Sequence, residues 1–426
     1  MLKYINEGND KMIIKPKGTY DILGIDAKLH TYLNHEIENF MINYDYELIR
    51  TPIFEASELF HRSVGEGTDI VTKETYDFKD RGDRNLTLRP EGTAGVVRSL
   101  IENKLYGNKN DCIKLYYNGT MYRYERPQSG RNREFTQFGV EVFNSNDSMI
   151  DAEVISIGYN LLQSIGIDVT VNLNSLGDLE SRKKYTEALI KYLEPNIDKL
   201  CPDCQNRLKT NPLRILDCKV DKDSEIFKNV PKISDYLNDE SKQRFNKLKQ
   251  YLSILDINYE IDEQIVRGLD YYDENVWEYT DENDIVVGGG GRYNHLVENL
   301  GGPSIPAVGF ALGLERIIMN LKNNIDENQL KNNIDVYIMS INEEEKINAL
   351  RIAQNLRLNN IITEINSNNL SMKSQFKIAD SLNAKFIIIL NNEDLNKGLI
   401  NIKDNVTKEE IKIDEGDIVD WILGNI

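Results

Sequence analysis

The chain has 426 residues, 40% of them apolar, enough for two or three domains and at least one large core. Its formal net charge of -18 argues against a protein that coats nucleic acid through many phosphate contacts, while leaving room for a local basic patch. No N-terminal stretch has the basic head and apolar core of a signal peptide, and apolar runs such as Phe386 to Leu390 are far too short to span a bilayer; a soluble, cytoplasmic protein with no membrane partner is expected.

Residues 1–14 are polar and read as an N-terminal extension. From Ile25 to Tyr44 apolar residues recur at helical spacing, and YELIRTPIFE then reads as a strand with Pro52 inside it, a proline that belongs at an edge or an interface. Residues 113–124 and 134–143 are two strand-like runs joined into a long antiparallel hairpin. The connecting loop, RYERPQSGRNR, sets Arg123, Arg126, Arg131 and Arg133 against the single Glu125, so a polyanion could dock there. Asp151 to Leu162 follows as an amphipathic helix.

Between about 177 and 262 the sequence turns charged, helical and loop-like, which reads as an insertion into the preceding domain. Strand-like sequence returns with IVRGLDYY and VWEYT. The run Gly288 to Gly291, then RYNHLVENLGG and AVGFALGLERIIMNL, predicts strand, turn, helix, and a glycine-rich strand feeding a second helix. Such glycines weakly suggest phosphate binding; tight turns and close packing are the commoner reason for them. After a polar stretch at about 322–333 the chain restarts as a small separate domain over 333–426. IDVYIMSI, IITEI and AKFIIIL read as strands alternating with helices at Glu343–Leu358, with Ile347, Leu350 and Leu356 inward, and at Met372–Leu382. That alternation predicts a mainly parallel sheet.

Four cysteines are too few for a disulfide framework in a chain of this length. Cys201, Cys204 and Cys218 cluster as CPDC and LDCK, a spacing that invites zinc. No fourth ligand lies nearby, and His30, His35, His61 and His295 are all distant in sequence. Reduced thiols and no structural zinc are therefore expected.

The most informative stretch is VRGLDYY, Val266 to Tyr272. The Arg267 guanidinium stays charged when buried and offers a planar fork of donors to a carboxylate or phosphate, while Tyr271 and Tyr272 can orient a polar heteroaromatic ligand. Taken alone, an Arg/Tyr cluster reads as readily as a surface salt bridge beside packed tyrosines. Its company, at Glu91, Arg123, Glu141 and Arg316, gives it weight.

These motifs, in this order, resemble the histidyl-tRNA synthetases, a family of class II aminoacyl-tRNA synthetases, from about Lys15 to the C-terminus. The first helix with RTPIFE resembles the class motif at the dimer interface, MYRYERPQSGRNREFTQFGVEVF the second motif and AVGFALGLERI the third. LRPEGT, VRGLDYY and GGGGRYNHLV resemble elements distinctive of the histidine enzyme. The resemblance implies an α+β class II synthetase-like catalytic domain with an antiparallel sheet over 15–325, the helical insertion within it, and a C-terminal α/β anticodon-binding domain over 333–426. It also implies a homodimer whose partners are ATP, L-histidine and tRNA(His), with Mg²⁺ accompanying ATP.

By the same resemblance, the histidine carboxylate attacks the ATP α-phosphate, and the terminal ribose of the tRNA then takes the histidyl group. Neither step demands a protein nucleophile, and in-line displacement at phosphorus is served by arginines and a divalent cation. Arg123 and Arg267 would hold the α-phosphate and the reacting carboxylate, and Arg316 the distal phosphates. Phe135 would stack on adenine, Glu125 would accept from its amino group, and Arg131 would also face ATP. Glu91, Thr93 and Gln137 would bind the α-ammonium. A neutral imidazole needs one acceptor and one donor on opposite sides, roles that fall to Glu141 and Tyr272, with Tyr271 beside them. Gln128 and Arg133 would reach the tRNA acceptor end. Asn132, Thr136, Asn294 and His295 depart from the residues the family often carries. The competing reading is a catalytically silent, histidine-sensing regulatory paralogue; retention of Arg123, Arg267, Arg316 and the C-terminal domain favours the enzyme. A tRNA-sensing domain of a kinase is disfavoured because kinase motifs are missing.

Overall fold

Leu29, Leu33, Ile37 and Met41, each four residues from the next, are buried along one side of the helix Ile25–Asn43. This helix is the first in a computed structural model that describes residues 12–64, 73–107, 112–222, 224–324, 334–366 and 368–426. Most of the expected N-terminal extension, and residues 325–333 between the two parts of the chain, lie outside the described residues. The chain divides into two compact units, Met1–Asn324 and Ile325–Ile426.

The run expected as one strand around Pro52 is two. β1 (Glu47–Leu48) joins a large sheet, and β2 (Phe54–Ala56) joins a small one with β3 (Tyr76–Lys79) and β4 (Asn85–Leu88), in the order β2-β4-β3. Pro52 lies between them, where its missing N–H and fixed φ end one ladder and allow the chain to change sheets.

The large sheet contains β5 (Ile113–Tyr122), β6 (Glu134–Phe143), β7 (Val169–Ser175), β8 (Tyr259–Ile261), β9 (Asp273–Asp281), β10 (Val286–Arg292) and β11 (Ala307–Gly313). Its order is β1-β5-β6-β11-β10-β9-β7-β8, antiparallel from β5 through β7 and parallel only at the two outer pairs. The hairpin β5–β6 pairs Ile113 with Phe143 at one end and Tyr122 with Glu134 at the other, as the alternating sequence predicts. The helix Ser148–Ser164 is capped by the Asp147 side chain, which accepts from the Met149 N–H, and packs behind β11.

IVRGLDYY is not a strand; regular pairing begins at Asp273. A strand would send Tyr271 and Tyr272 to opposite faces of the sheet. The irregular segment instead brings their rings to 4.6 Å between centroids and aims Arg267 the same way. The helical insertion, Leu179–Leu193 through Asp239–Ile254, shares its core with the sheet: Leu189, Leu208, Ile215 and Phe227 belong to one apolar cluster with Tyr272, Val276 and Tyr293.

In the second unit, β12 (Val336–Met339), β13 (Thr363–Ile365), β14 (Phe386–Ile389), β15 (Leu399–Asp404) and β16 (Glu410–Asp414) are ordered β13-β12-β14-β15-β16. The pairs β12–β13 and β12–β14 are parallel while β14–β15 and β15–β16 are antiparallel, so the sheet is mixed rather than mainly parallel. Alternation along β12 sends Val336 and Ile338 to a core with the helices Glu343–Leu358 and Ile418–Leu423, and Tyr337 and Met339 to a second core with Met372–Ser381. On the helix Glu343–Leu358, Leu356 is inward as expected, but Ile347 and Leu350 are 65% and 58% exposed. Ala349, Ile352 and Ala353 take the inward stripe instead, at the three- and four-residue spacing of a single helix face that continues to Leu356.

Candidate active site

A cleft of about 890 Å³ opens over one face of the large sheet. On β6, Phe135, Gln137 and Glu141 share that face at a spacing of two, while Phe138, Val140 and Val142 are buried behind it. Gly139, in the same row, faces Tyr117 on β5. A methyl group there would come within 2.2 Å of the phenol ring, so the missing side chain lets the ring lie flat across the hairpin.

At the inner end the donors and acceptors interlock. Glu91 turns back on the helix Thr93–Glu102, its carboxylate accepting from the Thr93 N–H at 2.8 Å and the Ala94 N–H at 2.7 Å. The Thr93 hydroxyl donates to Glu141 Oε1 at 2.6 Å, and the Tyr293 hydroxyl donates to Glu141 Oε2. Glu141 is buried; burial, reinforced by the Glu91 charge and opposed by these two hydrogen bonds, pushes its carboxyl up from the ordinary 4.5 to about 8. Burial pushes Glu91 upward too, against the pull of its two backbone donors. Tyr271 and Tyr272 close the opposite wall, with the Tyr293 ring 5.5 Å and 6.4 Å away from theirs. Gln137 Oε1 is buried with no hydrogen-bond partner among the described residues, an acceptor left for something in the cleft.

The outer end is cationic. Arg123 donates from Nε to the Pro90 carbonyl at 2.8 Å and lies over the Phe135 ring at 5.2 Å, so one face of that ring is already covered by a guanidinium. Glu125 stands between Arg123, at 3.8 Å, and Arg131, at 3.7 Å. Arg267 is paired with Glu278 of β9 and lies over Tyr272; Glu278 and the two phenols hold its pKa up against the opposing effect of burial. Arg316 donates to the Val286 carbonyl, and burial together with the facing Arg131 guanidinium lowers its pKa. Two like charges brought together in this way favour an anion between them.

The glycine run fills its place by omission. β10 is hydrogen-bonded on both edges, and a methyl group at Gly289 would sit 2.5 Å from the Trp277 carbonyl and 2.8 Å from an Arg267 nitrogen. Close packing around Arg267 accounts for that glycine. On β11, a methyl group at Gly309 would lie 1.9 Å from Glu141 Oε2.

Of the residues singled out in the sequence, Glu91, Thr93, Arg123, Glu125, Arg131, Phe135, Gln137, Arg267, Tyr271, Tyr272 and Arg316 line this one cleft. Glu141 lies one residue behind the wall, reached through Thr93 and Tyr293. Gln128 and Arg133 do not line it. Gln128 is bonded through its backbone to Arg131 across the loop tip, and Arg133 lies over Tyr124 at 3.8 Å while donating to the carbonyls of Glu125 and Lys17. The sequence reading missed Tyr293, although it lies inside the quoted GGGGRYNHLV, and Glu278. It also missed the contribution of the insertion, which brings Asp203, Arg207, Arg214 and Asp217 to the cleft; no local pattern marks these residues. The premise that the cysteine cluster lacks a fourth ligand is corrected as well. Asp221, three residues after Cys218, brings a carboxylate oxygen within 4.8 Å of all three sulfurs.

An antiparallel sheet flanked by helices, carrying buried carboxylates at one end of its cleft and arginines at the other, is the arrangement that the resemblance to class II aminoacyl-tRNA synthetases implies for the catalytic domain. Residues 18–317 match the family model described as histidyl-tRNA synthetase, and residues 335–425 match an anticodon binding domain. The chain is 48% identical over 407 residues to a protein named histidine–tRNA ligase from Bacillus cytotoxicus, covering 94% of this chain and 96% of that one. It is also 48% identical over 404 residues to the histidine–tRNA ligase of Bacillus subtilis, covering 93% and 95%. The crystal structure of apo histidyl-tRNA synthetase from S. aureus superposes with a TM-score of 0.81 at 40% identity, over 96% of this chain and all of that one. This chain therefore belongs to the histidyl-tRNA synthetase family.

Proposed function

We propose that the protein is a histidine–tRNA ligase, which activates L-histidine with ATP to histidyl-adenylate and transfers the histidyl group to the 3′ end of tRNA(His). The carrying observation is the division of one cleft into an inner end of carboxylates and phenols and an outer end of arginines that includes Arg123 and Arg267. An amino acid needs its ammonium met by acceptors, which Glu91, the Thr93 hydroxyl and the unpartnered Gln137 Oε1 offer. Its imidazole needs one donor and one acceptor, and Tyr272 with the Glu141–Tyr293 pair behind Thr93 supplies both kinds. Its carboxylate and the α-phosphate fall to Arg123 and Arg267, the adenine to Phe135 and Glu125, and the remaining phosphates to Arg131 and Arg316. Gln128 and Arg133 lie on the loop beside this end, where an RNA terminus would approach.

Magnesium suits the donor set. The cleft offers the Glu278 carboxylate beside Arg267, a hard oxygen ligand of the kind magnesium takes, and ATP phosphates would complete the shell. When bound, the ion neutralises phosphate charge. The protein's own groups align the histidine carboxylate with phosphorus, spread charge from the nonbridging oxygens into two guanidiniums and exclude water with the tyrosine wall. The C-terminal unit binds the anticodon end of the tRNA, supported by its match over residues 335–425. Leu48, Ile53, Phe54 and Phe78 are exposed around Pro52, an apolar surface suited to a second copy of the chain. Among the described residues no helix is long and apolar enough to cross a membrane; a cytoplasmic location fits the proposed tRNA substrate.

The test is charging of a tRNA(His) transcript with labelled histidine. A ligase gives ATP-dependent, acid-precipitable histidine on tRNA(His) and none on a tRNA for another amino acid. A histidine-sensing regulator binds histidine and charges nothing.

A further inference from the structure

The insertion carries a side-chain cluster that histidine activation leaves unused. Cys201 is the N-cap of the helix Pro202–Thr210, Cys204 lies in that helix's first turn, and Cys218 and Asp221 occupy the turns that follow. One ligand atom from each of the four lies within 4.8 Å of the others. The Cys201 and Cys218 sulfurs are 3.7 Å apart, as are the Cys218 sulfur and Asp221 Oδ2. That spacing is far beyond the roughly 2.05 Å of a disulfide. It matches the edge of about 3.8 Å that a tetrahedron takes when its sulfurs stand about 2.3 Å from a zinc ion.

The backbone points the same way. Cys201 and Cys204 are three residues apart, and so are Cys218 and Asp221. The Asp221 N–H donates to the Cys218 sulfur at 3.4 Å, and the Cys201 N–H donates across to Asp221 Oδ2 at 3.0 Å. Two turns of the same spacing thus face each other, tied by that backbone bond to Asp221, with all four ligand atoms on the facing sides. Cys204, Cys218 and Asp221 are buried.

We propose that Cys201, Cys204, Cys218 and Asp221 together hold one zinc ion. Three thiolates and one carboxylate form a set softer than magnesium or calcium accepts, and four protein ligands leave no open position for catalysis, so the role is structural. Binding forms three metal–sulfur bonds and one metal–oxygen bond and releases the thiol protons to solvent. The site sits where it can brace the cleft. Asp217, Cys218 and Lys219 form part of the cleft wall, and Asn211, just past the helix, donates to Asp270 of the VRGLDYY segment at 2.7 Å. Zinc would tie that wall to the helix Pro202–Thr210.

The test needs no activity assay, so its failure leaves the ligase reading untouched. The full-length protein, purified without chelators, should contain about one zinc per chain by mass spectrometry of the metal and release it when a mercurial blocks the thiols. Cobalt introduced in its place should give sulfur-to-metal charge-transfer bands and strong tetrahedral d–d bands. Cys204→Ser should lower metal content at least tenfold, whereas Cys112→Ser, at an exposed cysteine outside the cluster, should keep it. A protein that holds no zinc after exposure to it and gives no thiolate bands with cobalt overturns the proposal. So does a disulfide between Cys201 and Cys218 found by peptide mapping, or a folded Cys204→Ser variant that keeps its metal. Should that variant fail to fold, the zinc content and cobalt spectrum of the unaltered protein decide.

Discussion

Arg267 illustrates how a single side chain is prepared for its task. Its charge is permanent, Glu278 and Tyr272 fix its direction, and the bare backbone at Gly289 makes room for it. Its contribution should therefore fall mainly on the transition state. Arg267→Ala should slow adenylate formation by roughly 10² to 10³, the scale of losing one preorganised charge donor, with a much smaller change in histidine affinity. Single-turnover kinetics beside equilibrium binding separates the two, and equal losses would mean that the arginine only binds substrate. Glu141 is prepared in a different sense. Its carboxyl is raised from the ordinary 4.5 to about 8, so the fold holds its proton more tightly than the unfolded chain does. The resulting stability is complete below the unfolded value and is lost as pH rises through 8. Glu141→Gln cannot ionise. From about pH 5 to about pH 9 the unaltered protein should lose roughly 4 kcal/mol relative to that variant, read by denaturant unfolding. Parallel pH profiles would show that Glu141 does not titrate in this window.

Elements set the spacing between these side chains. β11 approaches β6 so closely at Gly309 that a methyl group would collide with Glu141 and with the Val140 carbonyl, 2.4 Å away. Gly309→Ala should cost about 1 to 3 kcal/mol and displace Glu141, weakening histidine binding as well. Gly107→Ala, where nothing lies within 4 Å, should do neither. Calorimetric titration of both variants with histidine makes the comparison, and unchanged binding in Gly309→Ala would remove Glu141 from the recognition scheme.

Periodic elements were legible because burial repeats with the backbone. The helix Ile25–Asn43 and the hairpin β5–β6 follow from spacing alone. VRGLDYY was misread as a strand because its β-prone residues serve a turn that gathers one arginine and two phenols, and local propensity carries no trace of that demand. The inward stripe of Glu343–Leu358 was misplaced because small Ala349 and Ala353 pack inward while larger Ile347 and Leu350 stay out. Asp221 does not stand out in the sequence as a fourth ligand, because it is one of many surface-type carboxylates and neither a histidine nor a cysteine. The repeated spacing of three, CPDC and then Cys218 to Asp221, was the available signal.

The whole chain folds as two compact units, to which separate tasks are proposed. The large sheet, the insertion and the cleft lie in the first, and the second has its own two cores on either face of a mixed sheet. A chain ending at Asn324 should keep adenylate formation near that of the full chain and lose at least tenfold in tRNA charging, because it lacks the unit that matches an anticodon binding domain. Full charging by the shortened chain would contradict this division. The overall charge of -18 adds a corollary: RNA contacts must be concentrated on local basic surfaces such as the Arg123–Arg133 loop, so charging should weaken steeply with added salt while adenylate formation changes little. If the cleft joins histidine to ATP, the protein should exchange labelled pyrophosphate into ATP when histidine is present and with no other amino acid; tight histidine binding without any exchange would show that the cleft does not activate histidine.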